Sequence, residues 1–376
     1  MGPTEPSRPR VAIVHDYLTQ RGGAERVVAI LAGAFPEAPL YTSLYEPSQT
    51  FDDFAALDVR PGLINRVPVL RRDPRKAFPL LAPTFSRTKV DAELVLATSS
   101  GWAHGVGGDA IKVVYCFAPA RWLYQADRYI GSAGRGSAPF RTAARIATGL
   151  GGAPLRRWDQ RAAQRATRYM TTSRAMAAMI RDTYGIDAEV IPPPPALTST
   201  GPVDLVAGLD PGFRLTVSRL LPYKNVDVVL EVARQDPSRQ LVVVGEGPLR
   251  SALEAAAPSN VVFLPNVSDA ELRWLYRNAS ALLAASYEDF GLTPLEAAAL
   301  GTPTVALRAG GYLDTIVEGV TGAFFDSLHV GEISTALNVI DEVLPDAAVL
   351  ERHASSFSRE RFCSRIVDVV NVELQR

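Results

Sequence analysis

A run of four prolines, Ile191-Pro-Pro-Pro-Pro195, divides the chain into two stretches of the same rhythm, and this repetition most constrains the fold. Proline lacks an amide hydrogen and fixes φ, so the run continues neither a helix nor a central strand. With the loose segment 198–202 behind it, it reads as a hinge. Beyond it, short apolar runs at 215–218, 241–245, 261–264, 281–286 and 304–307 alternate with helical periodicity at 226–234, 249–256, 269–277 and 294–300. Before it, an apolar run at 11–15, a Gly-bearing turn and an amphipathic segment at 24–35 open a similar series. Strands are expected at 92–97, 112–116 and 169–172, and helices at 156–168 and 173–184. Buried strands alternating with helices predict a parallel sheet covered on both faces. The expected fold is therefore α/β, with two Rossmann-like, doubly wound domains over 11–195 and 196–355. These would face each other across a cleft at the carboxyl ends of their strands, a favoured ligand position. The last helical stretch, within 356–376, is expected to pack back toward the first domain. Residues 1–10 read as a disordered tail and Gly131-Ser-Ala-Gly-Arg-Gly-Ser137 as a mobile loop.

At 376 residues the chain has room for two such domains. Its apolar runs fall well short of the ~20 residues that span a bilayer, and no signal peptide is read at the start. Cys116 and Cys363 make no disulfide framework, so a reducing cytoplasmic compartment is expected. The net charge of −1 conceals an asymmetry: residues 1–195 carry 25 Lys and Arg against 17 Asp and Glu, and residues 196–376 carry 14 against 23. A basic first half suggests an anionic partner, or simply attraction between the halves.

The strongest constellation is Ser286-Tyr-Glu-Asp-Phe-Gly-Leu-Thr-Pro-Leu-Glu296. Glu288 lies in a strand-to-helix loop. Gly291 permits close backbone approach, and Gly291, Leu292 and Thr293 offer amides at a helix start, which suit phosphate. Carboxylates beside them suit the hydroxyls of a sugar or ribose. Thr293-Pro-Leu-Glu296 also reads as a capping box with proline at the first helical position, which alone would explain Glu296. In Val217-Ser-Arg-Leu-Leu-Pro-Tyr-Lys-Asn225, Arg219 and Lys224 follow the first strand of the second domain; they suit a diphosphate, or are surface cations. Gly22-Gly-Ala-Glu-Arg26 is a weaker anion-binding candidate. Val244-Gly-Glu-Gly-Pro248 lacks the third glycine of a dinucleotide fingerprint. No Asp-x-Asp pair occurs and no histidines show ligand spacing, so neither metal nor cofactor is expected.

Together, Ser-Arg-x-x-x-x-Lys, Gly-Glu-Gly-Pro, the paired glutamates and Gly310-Gly-Tyr-Leu-Asp-Thr-Ile-Val-Glu-Gly-Val-Thr-Gly322 resemble glycosyltransferase family 4, whose members are retaining and have the GT-B fold. The first domain adds His15-Asp-Tyr-Leu-Thr-Gln-Arg-Gly-Gly-Ala-Glu-Arg26, Ser99-Ser-Gly-Trp-Ala-His104 and Pro119-Ala-Arg-Trp122. These are similar to the branch with mannosyltransferases of bacterial surface polysaccharide assembly. The resemblance implies that Arg219 and Lys224 hold the donor diphosphate, Glu288 the sugar hydroxyls and Glu296 the ribose diol. It further implies that Phe290, Gly291 and Leu292 support sugar and phosphate through their amides, and that Gly23 faces the phosphate from the other domain. Relatives carry histidine where this chain has Phe117, within Tyr115-Cys-Phe-Ala-Pro119. His104 and Arg121 stand as further acceptor or sugar contacts, although an isolated histidine also suits an ordinary loop or cap.

The expectation is a metal-independent hexosyltransferase using a nucleoside-diphosphate sugar, mannose first and glucose second. The acceptor would be a glycan, a polyprenyl-linked molecule or a small molecule, with no role for nucleic acid. The alternative is a catalytically weakened sugar-nucleotide-binding protein, on account of Phe117. An epimerase or a pyridoxal-dependent phosphorylase on the same architecture is a further alternative. The basic, partly apolar stretch 71–81 suits peripheral contact with an anionic membrane, or is a solvated loop.

Overall fold

The computed structural model describes residues 10–125, 152–343 and 345–376, apart from the side chain of Arg75. The segment read as a mobile loop and nearly all of the expected tail lie outside the described residues. The chain forms two compact units: one from residues 1–193 with 359–376, the other from residues 194–358.

In the first unit seven strands form one parallel sheet: β1 (Val11–His15), β2 (Leu40–Thr42), β3 (Val59–Pro61), β4 (Leu94–Ser99), β5 (Ile111–Cys116), β6 (Arg168–Thr171) and β7 (Glu189–Val190). Their order is β3-β2-β1-β4-β5-β6-β7. β1 pairs with β4 in the register Val11 to Leu94 through His15 to Thr98. Ile13, Leu94, Leu96 and Val113 are wholly buried, as a sheet covered on both faces requires. Each such side chain contributes roughly 1.5–3 kcal/mol over its exposed state. The helix Arg174–Tyr184 starts where the Ser173 side chain accepts the Met176 amide and stops at Gly185, left-handed at φ 69°. The C-terminal helix Arg359–Leu374 belongs to this unit: Phe362, Ile366, Val369 and Val370 join its core. Arg168 bridges Glu189 (2.6 Å) and Glu373 (3.4 Å), tying that helix to β6 and β7.

In the second unit six parallel strands are ordered β10-β9-β8-β11-β12-β13. They are β8 (Arg214–Val217), β9 (Leu241–Val244), β10 (Val261–Leu264), β11 (Ala281–Ala284), β12 (Thr304–Leu307) and β13 (Gly322–Phe325). The helix Asp269–Asn278 begins with a capping box, Ser268 to the Glu271 amide and Glu271 back to the Ser268 amide. The chain winds outward from β8 through β9 to β10, then returns to β11 and winds the opposite way. The loops leaving β8 and β11 therefore diverge from neighbouring strands, and such a switch point leaves a crevice at the carboxyl edge. The first sheet has the equivalent point between β1 and β4. Four strands escaped the sequence reading: β2, β3, β7 and β13. β2, β3 and β7 have two or three residues, too short to show a period, and β13 opens on Gly322 directly after a turn.

Candidate active site

At the switch point of the second unit, the loop after β8 and the loop after β11 meet through their charges. The Lys224 ammonium is ion-paired with Glu288 Oε1. Lys224 is only 12% exposed and Glu288 25%, so water screens the pair weakly. Ser286 Oγ donates to the same carboxylate at 2.6 Å and lies 3.1 Å from the Tyr312 hydroxyl. Asn225 braces the first loop: left-handed at φ 52°, it donates from Nδ2 to the Ala285 carbonyl at 2.8 Å. Lys224 lies over the Tyr223 ring, 5.2 Å from its centroid, and Arg219 reaches the Tyr223 hydroxyl at 3.3 Å. Arg219 is exposed, the least enclosed of the charged residues expected here.

The helix after β11 runs Leu292–Ala299 with Gly291 as its N-cap, and no side chain caps it. This corrects the capping-box reading. Pro294 is third in the helix, not first, and Glu296 lies inside the first turns. The Glu296 carboxylate instead accepts the Tyr276 hydroxyl at 3.1 Å, and both residues are buried. The first amides of the helix have no intrahelical acceptor, so its dipole and N–H groups are available to an anion. Gly291 holds φ 94°, and a Cβ there would stand 2.6 Å from the Tyr312 ring. Phe290 is buried, while Leu292 and Thr293 are half-buried. Gly310 and Gly311 let their segment lie against the backbone of Glu288 and Phe290, and the Gly311 amide donates to the Glu288 carbonyl at 2.8 Å.

The structure thus brings Lys224, Glu288 and the 290–293 backbone into one unit and adds Ser286, Tyr312, Tyr276 and Asn225. Ser286 and Tyr312 lay within motifs already singled out, without a role. Tyr276 carried no signal, because its partner is 20 residues further on and on another helix.

The remaining candidates lie in the first unit. Gly23 is the first residue of the helix Gly23–Ala34, whose N-cap Gly22 makes no side-chain bond. Asp16, after β1, is buried and accepts the amides of Ser100 and Ala103, each at 2.6 Å, and of Trp102 at 3.2 Å. Burial outweighs those bonds and the neighbouring His15, and raises its proton affinity above that of an ordinary aspartate. Phe117 is buried, its ring edge-on to His15 at 6.4 Å. His15 Nδ1 is 2.9 Å from Thr98 Oγ1. His104 is no ordinary loop histidine: it is buried, with Nδ1 3.0 Å from Ser99 Oγ and Nε2 3.1 Å from Asp159 Oδ1. The latter approach lacks hydrogen-bond alignment. Asp159 also accepts the Tyr124 hydroxyl at 2.7 Å. Arg121 opens the short helix Arg121–Tyr124, half-buried. Among the described residues, no three His, Cys, Asp or Glu stand where they could hold a metal ion.

Residues 204–353 match the family described as "Glycosyl transferases group 1". The D-inositol 3-phosphate glycosyltransferases of Mycobacterium bovis and Mycobacterium tuberculosis are 32% identical over 184 residues, covering 43% of this chain and 38% of theirs. The match thus spans well under half the length of these relatives. Among solved structures, sucrose-phosphate synthase from Thermosynechococcus elongatus superposes with a TM-score of 0.73 at 16% identity, over 96% of this chain and 98% of that one. The lipopolysaccharide outer core galactosyltransferase WaaB gives 0.66 at 17%, over 97% and 99%. Anabaena HepE in complex with UDP and glucose gives 0.65 at 17%, over 97% and 100%. The chain has the GT-B fold, and residues 204–353, within its second unit, are similar to the group 1 glycosyl transferases.

Proposed function

We propose that the chain is a retaining hexosyltransferase that takes its sugar from a nucleoside-diphosphate donor. The observation that carries this reading is the Lys224–Glu288 pair at the β8–β11 switch point, beside an uncapped helix start. Lysine has three donors, so Lys224 can keep Glu288 while a second N–H meets a phosphate oxygen. Arg219 adds a forked cationic contact to the diphosphate, and the amides of Gly291, Leu292 and Thr293 add neutral donors. Glu288 accepts hydroxyls of the sugar, and Glu296, oriented by Tyr276, accepts the ribose diol. The bond from the anomeric carbon to the phosphate oxygen breaks while the acceptor oxygen bonds to the same face. The acceptor's proton passes to the leaving phosphate. Charge growing on that phosphate is stabilised by groups already in place, an effect worth several kcal/mol.

Mannose is the first donor sugar to test, from the motifs of the first unit. Glucose and galactose follow, because HepE is solved in complex with UDP and glucose and WaaB is named a galactosyltransferase. The acceptor is proposed to be a glycan, a lipid-linked molecule or a small molecule held by the first unit. Segment 71–81 is proposed to touch an anionic membrane at the inner face of the cell envelope. In support, Leu63, Val69 and Leu80 are exposed near Arg66, Arg72 and Lys76. Phe117 favours a second reading, a sugar-nucleotide binder with weak turnover.

The test is incubation with GDP-mannose, UDP-glucose and UDP-galactose, following nucleotide release with and without added acceptors. Acceptor-dependent release with retained anomeric configuration supports the first reading. Tight binding of a donor without turnover selects the second. Failure to bind any nucleotide sugar refutes both.

A further inference from the structure

At the amino-terminal end of β5 in the first sheet, a small cavity has Lys112, Arg161 and Arg165 as its charged lining. It occupies about 90 Å³ between the turn before β5 and the helix Gly152–Ala163, bounded by Ser86, Gly105–Gly107, Lys112, Trp158, Arg161 and Arg165. Lys112, second residue of β5, is only 6% exposed, and among the described residues its ammonium donates to the Val106 carbonyl alone, at 2.7 Å. Arg161 and Arg165 are exposed on the other wall. No carboxylate of a described residue pairs with any of the three; Asp109, on the same turn, is exposed and does not line the cavity.

Buried ammonium groups are ordinarily paired, because an uncompensated one costs several kcal/mol. Here the charge that acts on it, Arg165, has the same sign. Burial, and then repulsion by Arg165, lower the Lys112 pKa to about 8. The walls are shaped closely: a Cβ on Gly105 would run into the Trp158 ring, and one on Gly107 into the Ser86 carbonyl. Ser86 Oγ accepts the Trp158 indole N–H at 2.8 Å, which leaves its own hydroxyl hydrogen to donate. The volume is far below the ~300 Å³ of a typical organic-ligand pocket, so a sugar nucleotide does not fit, whereas a tetrahedral oxyanion does.

We propose that this cavity is a binding site for one small oxyanion group, a phosphate or a phosphomonoester, held by Lys112, Arg161 and Arg165. The site is independent of the donor reading, since it lies in the other unit and uses none of its residues. It adjoins segment 104–107, and the helix that supplies Arg161 also carries Asp159, the partner of His104. An anion there would tie this helix to β5.

The test is a thermal-shift and calorimetric titration of the full chain carrying Lys224→Met, which weakens phosphate binding at the donor site. Inorganic phosphate and glycerol 1-phosphate are titrated separately against sodium chloride of matched ionic strength. The expected result is saturable binding of phosphate or its monoester, weakened about tenfold by Arg165→Gln and similarly by Arg161→Gln, and abolished by Lys112→Met. Preference for the free ion or for the ester identifies the source. If Lys112→Met fails to fold, the two exposed arginine variants decide the matter. No saturable response beyond the salt control overturns the proposal, as does a response unchanged in Arg161→Gln and Arg165→Gln, for then the cavity holds only water.

Discussion

Replacing Lys224 by methionine keeps most of the volume of its stem and removes the ammonium, while Ser286 Oγ still donates to the Glu288 carboxylate at 2.6 Å. Two unit charges about 3 Å apart attract by about 5 kcal/mol at an effective dielectric constant of 20. Desolvation offsets much of this, and with 12% and 25% of the two side chains exposed the net coupling should be roughly 1.5–3 kcal/mol. Lys224→Met should therefore cost about 2–3 kcal/mol and Glu288→Gln somewhat less. The double variant should be less destabilised than the sum by the coupling energy. Urea titrations read by hydrogen exchange in the helix Leu292–Ala299 give the cycle for the second unit alone. The same variants separate two roles in calorimetry with UDP. Lys224→Met should bind UDP about 30-fold more weakly, a loss of roughly 2 kcal/mol. Glu288→Gln should bind it nearly as wild type but slow sugar transfer about 100-fold, or roughly 2.7 kcal/mol. Additivity within about 0.5 kcal/mol would mean that the pair does not act as one unit in solution. Undiminished UDP binding by Lys224→Met would remove this cation from the diphosphate.

Tyr276→Phe removes a buried donor to Glu296 and should cost about 1–3 kcal/mol in thermal unfolding. If Glu296 reads the ribose, the variant should also lose preference for UDP over its 2′-deoxy analogue. Gly291→Ala should be destabilising by at least about 2 kcal/mol, because the residue has φ 94° and its Cβ would press on Tyr312. Gly208→Ala, at φ 81° with open space around the added carbon, should cost only about 1 kcal/mol in the same assay. Burial pushes the Cys116 thiol far up, so a thiol reagent at pH 8 should leave it unmodified until the chain unfolds, while half-buried Cys363 reacts slowly. Lys112 titrates near 8 when folded and near 10.5 when unfolded, so between these values the unfolded chain binds more protons and stability rises with pH. The stability of wild type relative to Lys112→Met should rise across that window and stay level below pH 8; a flat difference throughout would contradict the burial argument.

Local pattern made most of the architecture legible. Strands β8 to β12 and their helices stand in the sequence because a strand buried on both faces is a short apolar run, and a helix packed on it shows a 3.6-residue period. Strands β2, β3 and β7 did not, since two or three residues carry no period, and β13, which opens on Gly322, likewise owes its conformation to the ladder beside it. The start of the helix Leu292–Ala299 was misplaced by two residues: proline suits a first helical turn, but left-handed Gly291 turns the chain earlier.

The charged site divides in the same way. Residue types and local spacing alone, at loops predicted to follow strands, singled out Lys224, Glu288, Glu296 and Gly291, because strand-to-helix loops at the carboxyl edge are where a parallel sheet presents groups to a ligand. That Lys224 meets Glu288, that Tyr276 rather than a cap holds Glu296, and that three cations surround one cavity without a carboxylate were decided by the tertiary fold. Each depends on side chains far apart in sequence coming within about 3–6 Å, where Coulomb attraction, hydrogen bonding and desolvation become large. Periodicity reports which face of an element is buried; it carries no record of which element will lie against it.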